Sequence, residues 1–280
     1  MKQLLHSYPL VSVIIPTWNR KCLLAKAVAS VLNQRNVSVE VMVCDDGSTD
    51  GTAEMIAGWD DARIQLLTIK NAGRPAIPRN RGIAAAQGEW IAFLDDDDIW
   101  FPHKLENQLT VAQKNGALAV CSNALRHIPG DKANIPYFAS PPERLDFKTL
   151  CRCNYVITSS AMFHRSLLPK VIGFPEAERY IVGEDYALWL RVASLTSFVM
   201  LHAPQLIYRD SPETSIRSRG NSDKESHQDV FLNWCIWAEW RVLSKNGMYA
   251  GVRVAVLFFP KIAKFFNYSR KLMQKLWSNE

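Results

Sequence analysis

The chain has 280 residues, 48% hydrophobic and 21% charged, the balance of a globular protein with one large domain or two intimate halves. No uncharged apolar run of 18 residues occurs, which argues against a transmembrane helix. The net charge of +6 is uneven, with eight Lys/Arg against one Glu in residues 241–280 and 25 against 26 before them, so the body is slightly acidic and nucleic acid is a poor partner.

The opening MKQLLHSYPL passes into VSVIIP without the apolar segment and cleavage site of a secretion signal. The six cysteines form no CxxC pair and have no His at zinc-ligand spacing, so they read as reduced thiols in a cytosol. VSVIIP (11–16), VEVMVC (39–44) and EWIAFL (89–94) are continuous apolar runs, each halted by a polar or turn residue. Such runs suit strands buried on both faces of a parallel sheet. Between the first two, Asn19 is placed to cap a helix whose apolar positions are Leu24, Ala27, Val28, Val31 and Leu32. A helix over about 50–58, a strand over 63–69 and a helix through RNRGIAAAQG, closing near Gly88, continue the alternation.

In an open parallel sheet the ligand crevice lies beyond the carboxyl ends of the strands. The first strand delivers Pro16, Thr17, Trp18 and Asn19 there, the second Asp45, Asp46, Gly47 and Ser48, and the third Asp95 to Asp98. Parallel alignment would gather up to six carboxylates on one edge, where repulsion raises their pKa values unless something positive sits among them. The pattern therefore calls for a cation. Carboxylates without His or Cys select Mg2+ or Mn2+, with substrate phosphate completing the shell. Arg74, Arg79 and Arg81 are nearby cations for such a phosphate, and neither a Walker sequence nor GxGxxG follows the first strand.

Plainer readings stand beside these. Asp45 and Asp46 precede Gly-Ser and suit a turn, and the four Asp suit a solvated acidic loop. Glu184 and Asp185 open an apolar-periodic run and suit a helix N-terminus. On the residues alone these alternatives stay open.

VSVIIPTWNR, CDDGSTDGT, RNRGIAAAQGEWIAFLDDDDIW and GEDYALWLR, in this order across roughly residues 10–210, resemble the family 2 glycosyltransferases. The resemblance implies the α/β GT-A fold, a Rossmann-like mixed sheet flanked by helices, here with a C-terminal helical extension. It also implies inverting transfer of a sugar from a nucleotide diphosphate donor to a hydroxyl of a glycan or lipid-linked saccharide in cell-surface polysaccharide synthesis. It places Asp46 on the donor base, Trp18 stacked on that base, Mn2+ or Mg2+ on Asp95 and Asp97, Asp96 on the donor sugar or ribose, and Asp185 as general base. Pro16, Thr17, Asn19, Asp45, Arg74 and Arg79 complete the expected donor side, and Glu184 and Trp189 the acceptor side. Residues 1–122 would form the nucleotide-sugar half, 123–215 the acceptor half, and 216–280 the extension. Many relatives carry a His where YRDSPETS has Asp210, a departure from the family pattern. A sugar nucleotidyltransferase would carry a Gly-rich first loop, which IPTWNR lacks. A degenerate nucleotide-binding scaffold is opposed by the intact DDDD and GED.

Residues 126–148, with Pro129, Pro136, Pro141 and Pro142, read as a long loop beside the site. VITSSAMFHRSLL resembles a strand and helix of the acceptor half. A helix over 225–246 stops at Gly247. In the last stretch Ile262, Phe265, Phe266, Leu272, Met273, Leu276 and Trp277 share one helical face, and Lys261, Lys264, Lys271 and Lys275 another. A basic amphipathic helix of this kind reads as an anchor to an anionic membrane, at the cytoplasmic face of the inner membrane. An ordinary docked helix is the alternative.

Overall fold

In chain order the first half runs β1 (Leu10–Thr17), α1 (Lys21–Leu32), β2 (Ser38–Asp45), α2 (Thr52–Ala57), β3 (Ile64–Thr68), α3 (Ala76–Ala85) and β4 (Trp90–Phe93). There follow β5 (Ile99–Trp100), α4 (Lys104–Asn115), β6 (Ala119–Ser122), β7 (Leu125–His127), β8 (Ile135–Pro136), β9 (Arg144–Leu145) and α5 (Phe147–Arg152). After a buried 3-10 turn, Thr158–Ser160, come β10 (Met162–His164), α6 (Leu168–Val171), α7 (Glu184–Ala193), β11 (Phe198–Leu201) and β12 (Leu206–Arg209). This computed structural model describes residues 9–130, 135–177, 180, 182–211 and 234. The chain divides into two units, Met1–Val230 and Phe231–Glu280, and all described residues but Trp234 belong to the first.

The main sheet has the order β3-β2-β1-β4-β10-β6-β11-β9. β1 is parallel to both β2 and β4, and β2 to β3, as the continuous apolar runs require. β10 enters antiparallel between β4 and β6, which makes the sheet mixed. Val11, Val13 and Ile15 on β1, and Val41 and Val43 on β2, are wholly buried, with α1 packing Leu24, Ala27, Val28 and Val31 into the same core. Register then fixes the crevice. Thr17 pairs with Asp45, and Ile14 with Phe93, so the polar tails of β1, β2 and β4 leave the same edge of the sheet.

Three sequence expectations change. Asn19 is not the cap of α1: it takes a left-handed φ of 52°, its side-chain oxygen accepts from Thr49 N at 2.8 Å, and Arg20 stands at the cap position. Asn tolerates the left-handed region because its short polar side chain bonds locally, which here ties the β1 tail to the β2 tail. Gly88 does not close α3, which already ends at Ala85. It passes so close to β1 that a Cβ would sit 2.6 Å from Leu10 O, and its N–H donates to Ser12 Oγ at 2.8 Å. The stretch over 126–148 is not simply a loop: β7 and β8 join β5 and β12 in a second sheet of order β5-β12-β7-β8, and β9 edges the main one. The helices expected over 225–246 and in the basic tail lie outside the described residues, Trp234 excepted.

Candidate active site

The acid loop between β4 and β5 is organised by cations from distant parts of the chain. Arg20 Nη1 donates at 3.0 Å to Asp96 Oδ1 and at 3.0 Å to Asp97 Oδ2. Arg79 Nη2 reaches Asp95 Oδ1 at 2.6 Å. Thr17 Oγ1, at the end of β1, donates to Asp96 Oδ2 at 2.8 Å, and Arg209 N donates to Asp98 Oδ1 at 2.8 Å. Burial pushes the Asp96 carboxyl up to about 6, with Arg20 opposing and Asp97 reinforcing the shift. Asp97 is also raised, by burial and then by Asp95. Asp98, buried deepest, is held well above the usual carboxylate range by burial and by Asp97 and Asp95. Arg20 was not among the expected site residues. The available signal was its place directly after PTWN, where the chain turns from the first strand into α1 beneath the acids.

The second acidic tail is satisfied differently. Asp45 is buried and accepts from Ser48 N at 3.0 Å, so it builds the turn that the Gly-Ser sequence also suggested. Asp46 spreads both oxygens over a neighbouring loop, Oδ1 accepting from Ala72 N at 2.8 Å and Oδ2 from Gly73 N at 3.1 Å. Burial raises its carboxyl, against those two amide bonds. Gly47 between them has φ 80°, and a Cβ there would lie 3.0 Å from both Asn71 N and Ile69 O. Glycine is needed at this position. Beside this turn Trp18 is 46% exposed, a large aromatic left at the mouth of the crevice. Pro16 and Thr17 are buried beneath it.

The third part of the site is the start of α7. Every residue of that helix is buried except Asp185. Its Oδ2 accepts from Thr158 Oγ1 at 2.7 Å, and its Oδ1 from Tyr186 N at 2.7 Å. Next to it Glu184 is buried and accepts from Arg79 Nη1 at 2.7 Å. Burial and Asp185 lift the Glu184 carboxyl to about 7, with Arg79 opposing. Arg79 thus stands between the acid loop and α7, one terminal nitrogen on each carboxylate.

Several expected contacts are corrected by these positions. Arg79 is 5% exposed with both terminal nitrogens committed to carboxylates, so it ties protein to protein and does not face a donor phosphate. Arg74 is not so corrected: it is only partly buried, with Nη1 donating to the Glu176 carbonyl at 2.6 Å. Glu184 is withdrawn into its pair with Arg79, and Trp189 is wholly buried against the rings of Phe93, Phe174 and Phe198. Neither can touch an acceptor. For Trp189 the reason is that apolar periodicity marks α7 as amphipathic, but the core wraps the helix on every side from Tyr186 onward, and for Arg79 and Glu184 it is their mutual pairing across a long separation. Asp210 accepts from Arg126 Nε at 2.7 Å.

Among the described residues no group of three or more His, Cys, Asp or Glu could hold a metal ion unaided. Asp95 and Asp97 nevertheless suit a shared hard cation. They are oxygen donors, both are less than fully buried, and the repulsion that raises Asp97 is what a divalent ion would relieve. Mg2+ commonly needs only one or two carboxylates when a substrate phosphate supplies the remaining ligands.

A mixed sheet of this order flanked by helices has the GT-A fold, and solved structures share it. S. aureus TarS 1-349 in complex with UDP-GlcNAc superposes with a TM-score of 0.66 at 20% identity, over 81% of this chain and 66% of that one. A mannosyltransferase from Pyrobaculum calidifontis, solved with GDP-Man and Mn2+, gives 0.56 at 17% identity, over 98% and 88%. Residues 12–172 match the family described as Glycosyl transferase family 2. The chain is 34% identical to WfgD of Escherichia coli, covering 65% of this chain and 69% of that protein, and 36% identical to WfaP of Escherichia coli, covering 66% and 70%. Both are described as UDP-Glc:alpha-D-GlcNAc-diphosphoundecaprenol beta-1,3-glucosyltransferases. The chain belongs to glycosyl transferase family 2 and is a glycosyltransferase.

Proposed function

We propose that the protein moves a hexose, with inversion, from a uridine diphosphate donor to a hydroxyl of a lipid-linked saccharide during the synthesis of a surface polysaccharide. The observation that carries this reading is the one non-buried residue of α7. Asp185 is held there with both oxygens oriented, and its neighbour Glu184 is joined through Arg79 to the acid loop. The donor and acceptor classes are supported by the two Escherichia coli relatives, which use UDP-Glc and a GlcNAc-diphosphoundecaprenol.

In the reaction the acceptor oxygen forms a bond to the anomeric carbon from the face opposite the nucleotide. The bond from that carbon to the diphosphate oxygen breaks, and its electron pair leaves with the diphosphate. The acceptor proton passes to the Asp185 carboxylate, which suits a positioned base. Trp18 and Asp46 receive the base, Asp46 through the lone pairs left over by the 72–73 amides, and Asp96 meets the ribose or sugar in exchange for part of its present bonding to Thr17 and Arg20. Asp95 and Asp97 would hold Mg2+ or Mn2+, which when bound neutralises charge on the leaving diphosphate. Arg20, 30% exposed at its side chain and already on Asp96 and Asp97, adds positive charge at the same place.

Residues 1–122 serve the donor and 123–215 the acceptor, and the basic tail attaches the enzyme to the anionic cytoplasmic face of the membrane that carries the lipid-linked acceptor. Among the described residues no helix is long and apolar enough to cross a membrane. The test is a transfer assay with a panel of nucleotide sugars and a GlcNAc-diphosphate lipid, with the anomeric configuration of the product read by NMR. A product that retains the donor's configuration overturns the single displacement. Formation of a nucleotide sugar from a sugar phosphate and a nucleoside triphosphate, without transfer, would make the protein a nucleotidyltransferase instead.

A further inference from the structure

The 3-10 turn Thr158–Ser160 lies buried between the two acidic parts of the site and bonds to both. Thr158 Oγ1 donates to Asp185 Oδ2 at 2.7 Å. Ser159 Oγ accepts from Asp95 N at 3.0 Å. The backbone of the same turn is gripped from behind, where Trp100 Nε1 donates to Ser159 O at 2.7 Å and Gln108 Nε2 to Ser160 O at 2.7 Å. Gln108 is itself held by Lys104 Nζ at 2.7 Å, and that nitrogen lies 3.8 Å from the centroid of the Trp100 ring. Trp100, Lys104, Gln108, Ser159 and Ser160 are each at most 2% exposed. A short segment with this many buried, directed bonds has little freedom to shift.

We propose that Thr158 is a positioning residue for Asp185, and that its turn sets the distance between that carboxylate and the acid loop. A carboxylate in the first turn of a helix tends to swing toward the unpaired amides of that turn. Asp185 does so with one oxygen, which accepts from Tyr186 N. The Thr158 hydroxyl takes the other oxygen and restricts rotation about the side chain, so the remaining lone pairs point one way. Serine keeps that donor and valine keeps the shape without it. The proposal rests on the reading of Asp185 as the base.

The experiment compares Thr158→Val, Thr158→Ser and Asp185→Asn in the full-length protein. Transfer kinetics give kcat and the acceptor KM, and calorimetry gives UDP binding. Thr158→Val is expected to lower kcat by roughly 10-fold, at the weak end of what mispositioning a base costs. UDP affinity and the acceptor KM should be unchanged. Thr158→Ser should restore kcat. If Thr158→Val fails to fold, Thr158→Ala is read by the same split of kcat from KM. A wild-type kcat in the variant lacking the hydroxyl overturns the proposal, as does a loss that falls on KM or UDP affinity, or a slow Thr158→Ser enzyme. Near-normal turnover of Asp185→Asn would instead overturn the assignment of the base, so the two failures are distinguishable.

Discussion

The two acidic strand ends of this enzyme look alike in sequence and are stabilised in opposite ways. At the end of β2, Asp45 and Asp46 accept from backbone N–H groups of Ser48, Ala72 and Gly73. Beyond β4, Asp95, Asp96 and Asp97 lean on the guanidinium groups of Arg79 and Arg20. Amide donors fix a loop in one shape and carry no net charge. Guanidinium groups neutralise charge but sit on side chains that can turn aside, at least for Arg20, which is partly exposed. The β2 end is therefore built as a frame and the β4 end as a charge site, one that under the proposed function takes up a diphosphate and a cation in exchange for part of its present pairing.

The largest effect should come from the charge site. Asp97→Ala is expected to abolish metal-dependent UDP binding and to lower transfer at least ~10²-fold, the scale of losing electrostatic stabilisation at a leaving group. Calorimetry with and without Mn2+ reads it, and tight UDP binding by the wild type without metal would remove the distinction drawn between the two ends. Asp185→Asn should cost at least ~10²-fold in turnover while leaving UDP affinity nearly constant, because the amide keeps its shape but cannot take the proton. Steady-state rates beside the calorimetric affinities check this.

At the frame, Asp46→Asn should act on stability as well as binding. The amide offers one acceptor oxygen to two N–H groups and presents its own NH2 to the other. A loss of about 1.5–3 kcal/mol follows from one hydrogen bond to a charged group. Urea unfolding measures it, and a wild-type midpoint would show that the 72–73 loop is held by something else. The smallest effect concerns Glu184. Its folded carboxyl lies at about 7, above the ordinary 4.5, so folding takes up roughly one proton between those values. The stabilisation associated with that proton is complete below pH 4.5 and is lost as pH rises through 7. Glu184→Gln should flatten the fall of melting temperature across pH 5 to 8, and an unchanged slope would point to other groups.

Much of this architecture is legible in the sequence alone. Continuous Val/Ile runs can only be buried on both faces, so the parallel core of β1, β2 and β4 follows from residue type. Asp-Asp-Gly-Ser spells its own turn because its bonds close within three residues. The convergence of acids at one edge follows from parallel register alone. What the order of residues could not supply was every pairing across long separations: Arg20 with Asp96, 76 residues away; Arg79 with Glu184, 105 away; and Thr158 with Asp185. A cation near an acid in sequence, as Arg79 is to Asp95, reads as a phosphate ligand until the fold shows that a second carboxylate already occupies it. Likewise, the period of α7 predicts one apolar face, while the burial of Glu184 and Trp189 depends on how many neighbours the sheet, Phe93, Phe174 and Phe198 bring around it. Local hydrogen bonding and burial of strands are properties of short segments, and sequence determines them. Which charge meets which, and which face of a helix remains open to solvent, depend on where distant segments are brought together, and only the tertiary structure decides that.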